Sequence, residues 1–270
     1  MDLSNIKNSF RKDIFIFREL LWVEEKGGRS EFEFSVFVAG GIGMRLVIFD
    51  FDGTIHLEET PRIFLRVLSQ DKGMRKKIRK FYISMSWVYI LYRFGLCRQL
   101  AIRRVLNGIV KMMCGMSETQ IEEFFKQCLE LARGSFSPVS LSRVKAHLES
   151  DDQILLLSGA FSQFVALVAR DLGMKFWLGT EIELLAGVCT GRITSIMNGP
   201  SKVQALRTFL QEQKGAGVVF DMGEAYAYAD SIHDLALLML VGHPVAVNPD
   251  QELLKEAKLR GWEIIEDGSN

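Results

Sequence analysis

The run Leu46-Val47-Ile48-Phe49-Asp50-Phe51-Asp52-Gly53-Thr54-Ile55 ends an apolar stretch with two carboxylates separated by one residue. Ligands of open α/β sheets gather at the carboxyl ends of strands, so Asp50 and Asp52 stand where chemistry is done. Carboxylates this close repel, and they stay ionised together only beside a cation. An all-oxygen ligand set of this kind suits Mg2+. The alternative is a solvated strand–turn pair, because Asp and Gly are common turn residues. The apolar strand before the pair and Gly53-Thr54 after it favour the chemical reading.

With these residues the sequence resembles the haloacid dehalogenase superfamily of aspartate-nucleophile phosphohydrolases, and the remaining motifs follow in order. Leu155-Leu156-Leu157-Ser158-Gly159-Ala160-Phe161 is a second apolar strand ending in a hydroxyl. Lys202, in Gly199-Pro200-Ser201-Lys202, stands at a helix start, and Asp230-Ser231-Ile232-His233-Asp234 supplies an acidic DxxxD. The resemblance implies that Asp50 is the nucleophile and forms an aspartyl-phosphate. It makes Asp52 the acid for the leaving alkoxide and then the base for water. It further implies that Ser158 binds a phosphoryl oxygen, with Gly159 beside it on the substrate, and that Lys202 neutralises charge between nucleophile and phosphoryl group. Mg2+ would be held by Asp50, the backbone carbonyl of Asp52, Asp230 and, in an outer position, Asp234.

A helical insertion between the first two motifs, together with the DSxxD motif, resembles the phosphoserine phosphatase-like branch (subfamily IB). There Glu59 aligns with a glutamate for the substrate amino group and Arg104 with an arginine for its carboxylate. The alternative for Glu59 is a surface acid beside Glu58; for Arg104, near Arg98 and Arg103, it is a solvated helix face. Ala229-Asp230-Ser231 departs from the GDGxxD of phosphoserine phosphatases. The tail Val247-Asn248-Pro249-Asp250 with Arg260-Gly261-Trp262 resembles a broader set of hydrolases in the branch. The expected function is a Mg2+-dependent phosphomonoesterase acting on a small phosphorylated metabolite, phosphoserine or a related amino-acid or amino-alcohol phosphate. A phosphotransferase to an alcohol, or a non-catalytic binding protein on the same fold, are the alternatives. The oligomeric state is left open.

These residues need a scaffold. Residues 44–60 and 138–270 alternate short apolar runs with helical patterns, the signature of a doubly wound, Rossmann-like parallel α/β sheet. Strands are expected at Arg45–Phe49, Gln153–Leu157, Ala225–Tyr228, Pro244–Val247 and Trp262–Ile265, and a hairpin over Thr180–Ile193 centred on Ala186-Gly187. Helices are expected over Ser162–Leu172 and Val203–Gln213. Residues 61–137 read as an all-helical cap, with helices over Arg62–Ser69, Met74–Phe94, Arg98–Met113 and Ser117–Arg133, the last opened by a capping box at Ser117 and Gln120.

Length and composition fit this plan. A chain of 270 residues, 48% hydrophobic and 24% charged, is neither disordered nor fibrous. Its 33 basic and 33 acidic residues exclude a uniformly basic nucleic-acid binder. That neutrality is a cancellation: residues 61–137 carry net +10, residues 44–60 with 138–270 net −9, and residues 1–43 net −1. Cys97, Cys114, Cys128 and Cys189 form no CxxC pair, and His56, His147, His233 and His243 do not join them at zinc-site spacing. Free thiols in a cytoplasmic protein are expected.

The apolar stretch Phe81 to Tyr92 is 12 residues long, short of the roughly 20 needed to span a bilayer. It follows Lys72-Gly73-Met74-Arg75-Lys76-Lys77-Ile78-Arg79-Lys80, which reads as a solvated helix start. Its other readings are recruitment of an anionic substrate and contact with an acidic membrane surface. Residues 1–43 lack a secretory pattern. They read as an extension ahead of a start at Met44, or alternatively as a docking helix over Leu3–Leu21.

Overall fold

The computed structural model describes residues 44–93 and 98–268. The chain divides into two units, residues 1–37 and 38–270, and every described residue belongs to the second. The extension 1–43 with its expected helix, and Cys97, lie outside the described residues.

Seven strands form one sheet in the order β4-β3-β2-β1-β5-β6-β7: β1 Leu46–Phe49, β2 Gln153–Phe161, β3 Phe176–Leu185, β4 Val188–Ser195, β5 Tyr226–Ala229, β6 His243–Val247 and β7 Glu263–Ile265. All pairs are parallel except β3 with β4. The central strand β1 is buried on both faces, and its alternation divides the core. Val47 and Phe49 join one apolar cluster; Leu46 and Ile48 join the other.

Helices cover both faces, as the doubly wound expectation required. α1 Thr60–Leu68, α2 Lys72–Arg93, α3 Arg98–Met112 and α4 Glu118–Ala132 follow β1, and α5 Pro138–Glu149 leads into β2. α6 Ser162–Asp171, α7 Pro200–Gly215, α8 Leu235–Leu238 and α9 Gln251–Arg260 complete the order. Phe64 of α1, Phe125 of α4 and Phe164 of α6 share the cluster with Val47 and Phe49, and Phe64 meets Phe164 edge-on at 5.1 Å between ring centroids. The opposite cluster draws on Leu206 and Phe209 of α7, Leu237 of α8, and Leu253 and Ala257 of α9.

Ser117 and Gln120 form the expected capping box of α4. The turn between α3 and α4 is bonded to the hairpin: Gly115 N–H donates to the Cys189 carbonyl at 2.9 Å, Cys189 N–H to Met116 at 2.9 Å, and Glu118 N–H to Gly187 at 3.0 Å.

Two strand expectations need correction. β2 does not stop at Leu157; it stays extended to Phe161, with its ladder to β3 irregular between Leu157 and Phe161. Thr180 Oγ1 donates to the Gly159 carbonyl at 2.7 Å and carries the chain along β3. β3 likewise begins at Phe176, because Phe176, Trp177 and Leu178 pair in parallel with β2 before the strand turns into the hairpin. Among the described residues no helix is long and apolar enough to cross a membrane. Cys114, Cys128 and Cys189 are free thiols.

Candidate active site

The site is built where β1, β2 and β5 end. Asp50 follows β1 directly, and its N–H donates to the Tyr228 carbonyl of β5 at 2.9 Å. This continuation of the ladder places the Asp50 and Asp230 side chains at neighbouring strand ends. Gly53 makes the approach possible. At its φ of +80° a side chain is strained, and a Cβ there would lie 2.1 Å from an Asp230 carboxylate oxygen.

Lys202, in the first turn of α7, is buried between two carboxylates. Its Nζ is 2.9 Å from Asp50 Oδ1 and 2.9 Å from Asp234 Oδ2. Ligand-type oxygens of Asp50, Asp230 and Asp234 lie within 4.8 Å of one another. Burial raises the Asp50 carboxyl well above the usual carboxylate range; Lys202 pulls against this, and the charges of Asp234 and Asp230 add to it. Burial, with Asp234 next, pushes Asp230 up to about 7. Burial alone would lower Lys202, but Asp234 and Asp50 hold its ammonium above its ordinary value.

Three carboxylates against one ammonium leave an excess of negative charge that burial penalises. Hard oxygen donors in such a cluster fit Mg2+, so the residues present fit the expected ion. Thr54 Oγ1, buried nearby in the chain, has no protein partner.

Asp52 stands apart from the cluster. Its Oδ1 accepts the Thr60 N–H at 3.0 Å and also the Thr60 hydroxyl. Thr60 is the first residue of α1, and the preceding Glu59 makes no side-chain cap. Asp52 therefore satisfies one of the orphan N–H groups at the start of α1, where the helix dipole favours a carboxylate.

Ser158 is buried at the β2 irregularity, where its Oγ accepts the Ala160 N–H at 3.1 Å. Gly159 is adjacent, its carbonyl held by Thr180. Glu59 is exposed at the α1 start, and Arg104 is exposed on α3.

Two contributors were not read from the sequence. His56 is fully buried, stacked on Phe51 at 5.3 Å between centroids, with Nδ1 3.6 Å from Asp52 Oδ1. Neither ring nitrogen has a protein hydrogen bond. Its position four residues after Asp52 was the available signal. Asp250 braces the DxxxD loop: it accepts from Ser231 Oγ and Ile232 N–H at 3.0 Å each, and from Glu252 and Leu253 N–H at 3.1 and 2.8 Å. Its N–H donates to the Asp230 carbonyl at 2.8 Å. An Asp ahead of Gln251–Arg260 is an N-cap signal, but its link to Asp230 exists only in space.

A haloacid dehalogenase-like hydrolase family model matches residues 47–239, which hold Asp50, Asp52, Ser158, Lys202, Asp230 and Asp234. The chain belongs to that family. A probable phosphatase of Mycobacterium tuberculosis is 25% identical over 218 residues, 80% of this chain and 73% of its own length. A phosphoserine phosphatase of the same organism is 38% identical over 119 residues, 44% of this chain and 37% of its own length. A solved protein of unknown function from Bordetella pertussis Tohama I shares the fold, with TM-score 0.69 at 24% identity over 83% of this chain and 98% of its own. The family match and the two Mycobacterium tuberculosis relatives bear out the resemblance to the phosphoserine phosphatase-like branch and the reading of this haloacid dehalogenase-like hydrolase as a phosphatase.

Proposed function

We propose that this hydrolase is a Mg2+-dependent phosphomonoesterase working through a phosphoryl group carried on Asp50. The observation that carries the reading is Lys202 bridging Asp50 and Asp234 at 2.9 Å each, with Asp230 closing the cluster. Lys202 and the strand-end backbone hold the Asp50 carboxylate in one orientation, and burial keeps water from it.

An Asp50 oxygen attacks phosphorus as the ester P–O bond breaks, and the electron pair leaves on the substrate oxygen. Asp52 gives that oxygen its proton. It then takes a proton from the water that attacks the phosphoryl group, releasing inorganic phosphate and restoring Asp50. Ser158 Oγ and the Lys202 ammonium are suited to the non-bridging oxygens. Mg2+, held by Asp50, the Asp52 carbonyl and Asp230 with Asp234 outside them, would supply charge neutralisation for the incoming dianion.

The substrate read for this site is a small phosphorylated metabolite bearing an amino group, phosphoserine or a related amino-acid or amino-alcohol phosphate, in a cytoplasmic setting. Supporting it are Glu59, next to the residue that holds Asp52, Arg104 on the helical cap 61–137, and the partial similarity to a phosphoserine phosphatase. The test is turnover of aryl phosphate and of phosphoserine by the purified chain with Mg2+ and with EDTA. Covalent phosphate on acid-quenched protein, absent in Asp50→Asn, is expected. Metal-independent turnover, or label retained in Asp50→Asn, would overturn the reading. Glu59→Gln should raise KM for phosphoserine and leave that for aryl phosphate unchanged.

A further inference from the structure

α2 is two-faced in an unusual way. Its inward positions Met74, Ile78 and Phe81 join the apolar core. Phe81 lies so close to Gly108 of α3 that a Cβ at Gly108 would fall 2.2 Å from the Phe81 ring. That close approach fixes which side of α2 turns outward. On that outward side Lys72, Arg75, Lys76, Lys77, Arg79 and Lys80 are all exposed.

Among the described residues none of these six cations is ion-paired to a carboxylate. Arg75 donates to the Ser69 carbonyl at 3.0 Å, and Asp71, the nearest acid in the chain, accepts the Gly73 N–H. Ile83, on this outward side, is 67% exposed, and Tyr82, on the flank it shares with Arg75, is 55% exposed. By helical spacing, Lys72, Lys76, Arg79 and Ile83 share one stripe, with Lys80 one turn before Ile83. Ile83 is thus an exposed aliphatic residue framed by cations without carboxylate partners among the described residues.

We infer that the outward face of α2 is a docking surface for an anionic lipid bilayer, the cations meeting headgroups while Tyr82 and Ile83 enter the headgroup–acyl boundary. Basic helices with interleaved apolar residues lie in that interface, and the net +10 of residues 61–137 complements a negative leaflet. A nucleic-acid partner would use the cations but leave Ile83 without a function. The inference stands independently of the phosphatase chemistry.

The test is co-sedimentation of the full chain with vesicles of phosphatidylcholine alone, or of phosphatidylcholine with phosphatidylserine. Binding is expected only to the anionic vesicles. It should fall as salt rises from about 0.15 to about 1 M, where the screening length shrinks from about 8 to about 3 Å. Each cation near the surface contributes about fivefold to partitioning, so reversing Lys76, Arg79 and Lys80 together to Glu should cost more than about a hundredfold. Ile83→Ser should cost about tenfold and preserve the salt dependence.

Unaltered thermal unfolding and aryl-phosphate turnover in these variants will separate lost docking from lost folding. Equal binding to neutral vesicles, anionic binding that survives the triple reversal, or binding to an RNA oligonucleotide without vesicle binding would each overturn the inference. The wild-type response to lipid charge and salt decides it even without a folded variant.

Discussion

Lys202 shows how single residues divide the work at this site. Its ammonium is buried with Asp50 and Asp234, and each carboxylate depends on it for compensation. Removing one partner of a buried ion pair leaves an uncompensated charge, at a cost of about 3–5 kcal/mol. Lys202→Met should therefore lose stability of that order in urea unfolding as well as turnover. Asp50→Asn should lower turnover by about a thousandfold or more with little loss of stability, because it removes one of the repelling carboxylates. His56 reverses the pattern. A buried polar ring without a partner is costly, so His56→Leu should unfold at the same temperature or higher. Turnover should fall, because the ring packs beside Asp52. A loss of both properties would make His56 a packing residue only.

Asp50, Asp52, Lys202, Asp230 and Asp234 could be singled out in the sequence through the resemblance of their motif order to that of the haloacid dehalogenase superfamily. The geometry brings Asp50, Lys202, Asp230 and Asp234 together, and ties Asp52 instead to Thr60. His56 and Asp250 were not legible as site residues, because their partners are chosen by loop geometry rather than by spacing in sequence.

At the scale of elements, the start of α1 is held by the Asp52 carboxylate and the loop after β5 by that of Asp250. Thr60→Val keeps the N–H bond to Asp52 and removes the hydroxyl, so turnover should fall while α1 persists by circular dichroism. Asp250→Ala should cost about 1–2 kcal/mol, the usual scale for a lost N-cap, and more in turnover through the slackened Asp230 loop.

The pH dependence has a definite sign. Burial acts to raise Asp250, but hydrogen bonds from Leu253, Ile232, Ser231 and Glu252 lower it below its ordinary value. A depressed folded value contributes stability that is full above the unfolded value near 3.9 and is lost as pH falls through the folded one. Thermal unfolding of wild type should weaken through that acid range, and the Asp250→Ala curve should be flatter there. The helices expected from apolar periodicity and caps fell within a few residues of α1–α4, α6 and α7, whereas α5, α8 and α9 were not anticipated. Nor were the ends of β2 and the start of β3, because Ser158 to Ala160 remain extended through bonds to Thr180, a residue distant in sequence.

Across the whole molecule, two apolar clusters on opposite faces of one sheet explain why the doubly wound architecture was legible: the central strand β1 is apolar throughout, as burial on both sides requires. The charge distribution was legible only by counting segments, since the total is zero. An acidic cluster that holds Mg2+ should make the molecule's stability respond to the ion. Mg2+ at about a hundred times its dissociation constant should raise the unfolding temperature by about 5–10 °C, and EDTA should abolish the increment. Asp230→Asn should lose most of it.

The bonds joining the α3–α4 turn to the hairpin have a consequence for how the molecule breathes. They cover the start of the outer edge of β4, at Cys189, which would otherwise offer unpaired backbone to another chain. They also tie a segment inserted after the first strand to the far margin of the sheet. The amides of Gly115, Glu118 and Cys189 should therefore exchange with deuterium as one cooperative group, slower than the exposed start of α2. Any excursion of the insertion must carry the hairpin with it or unzip this seam first.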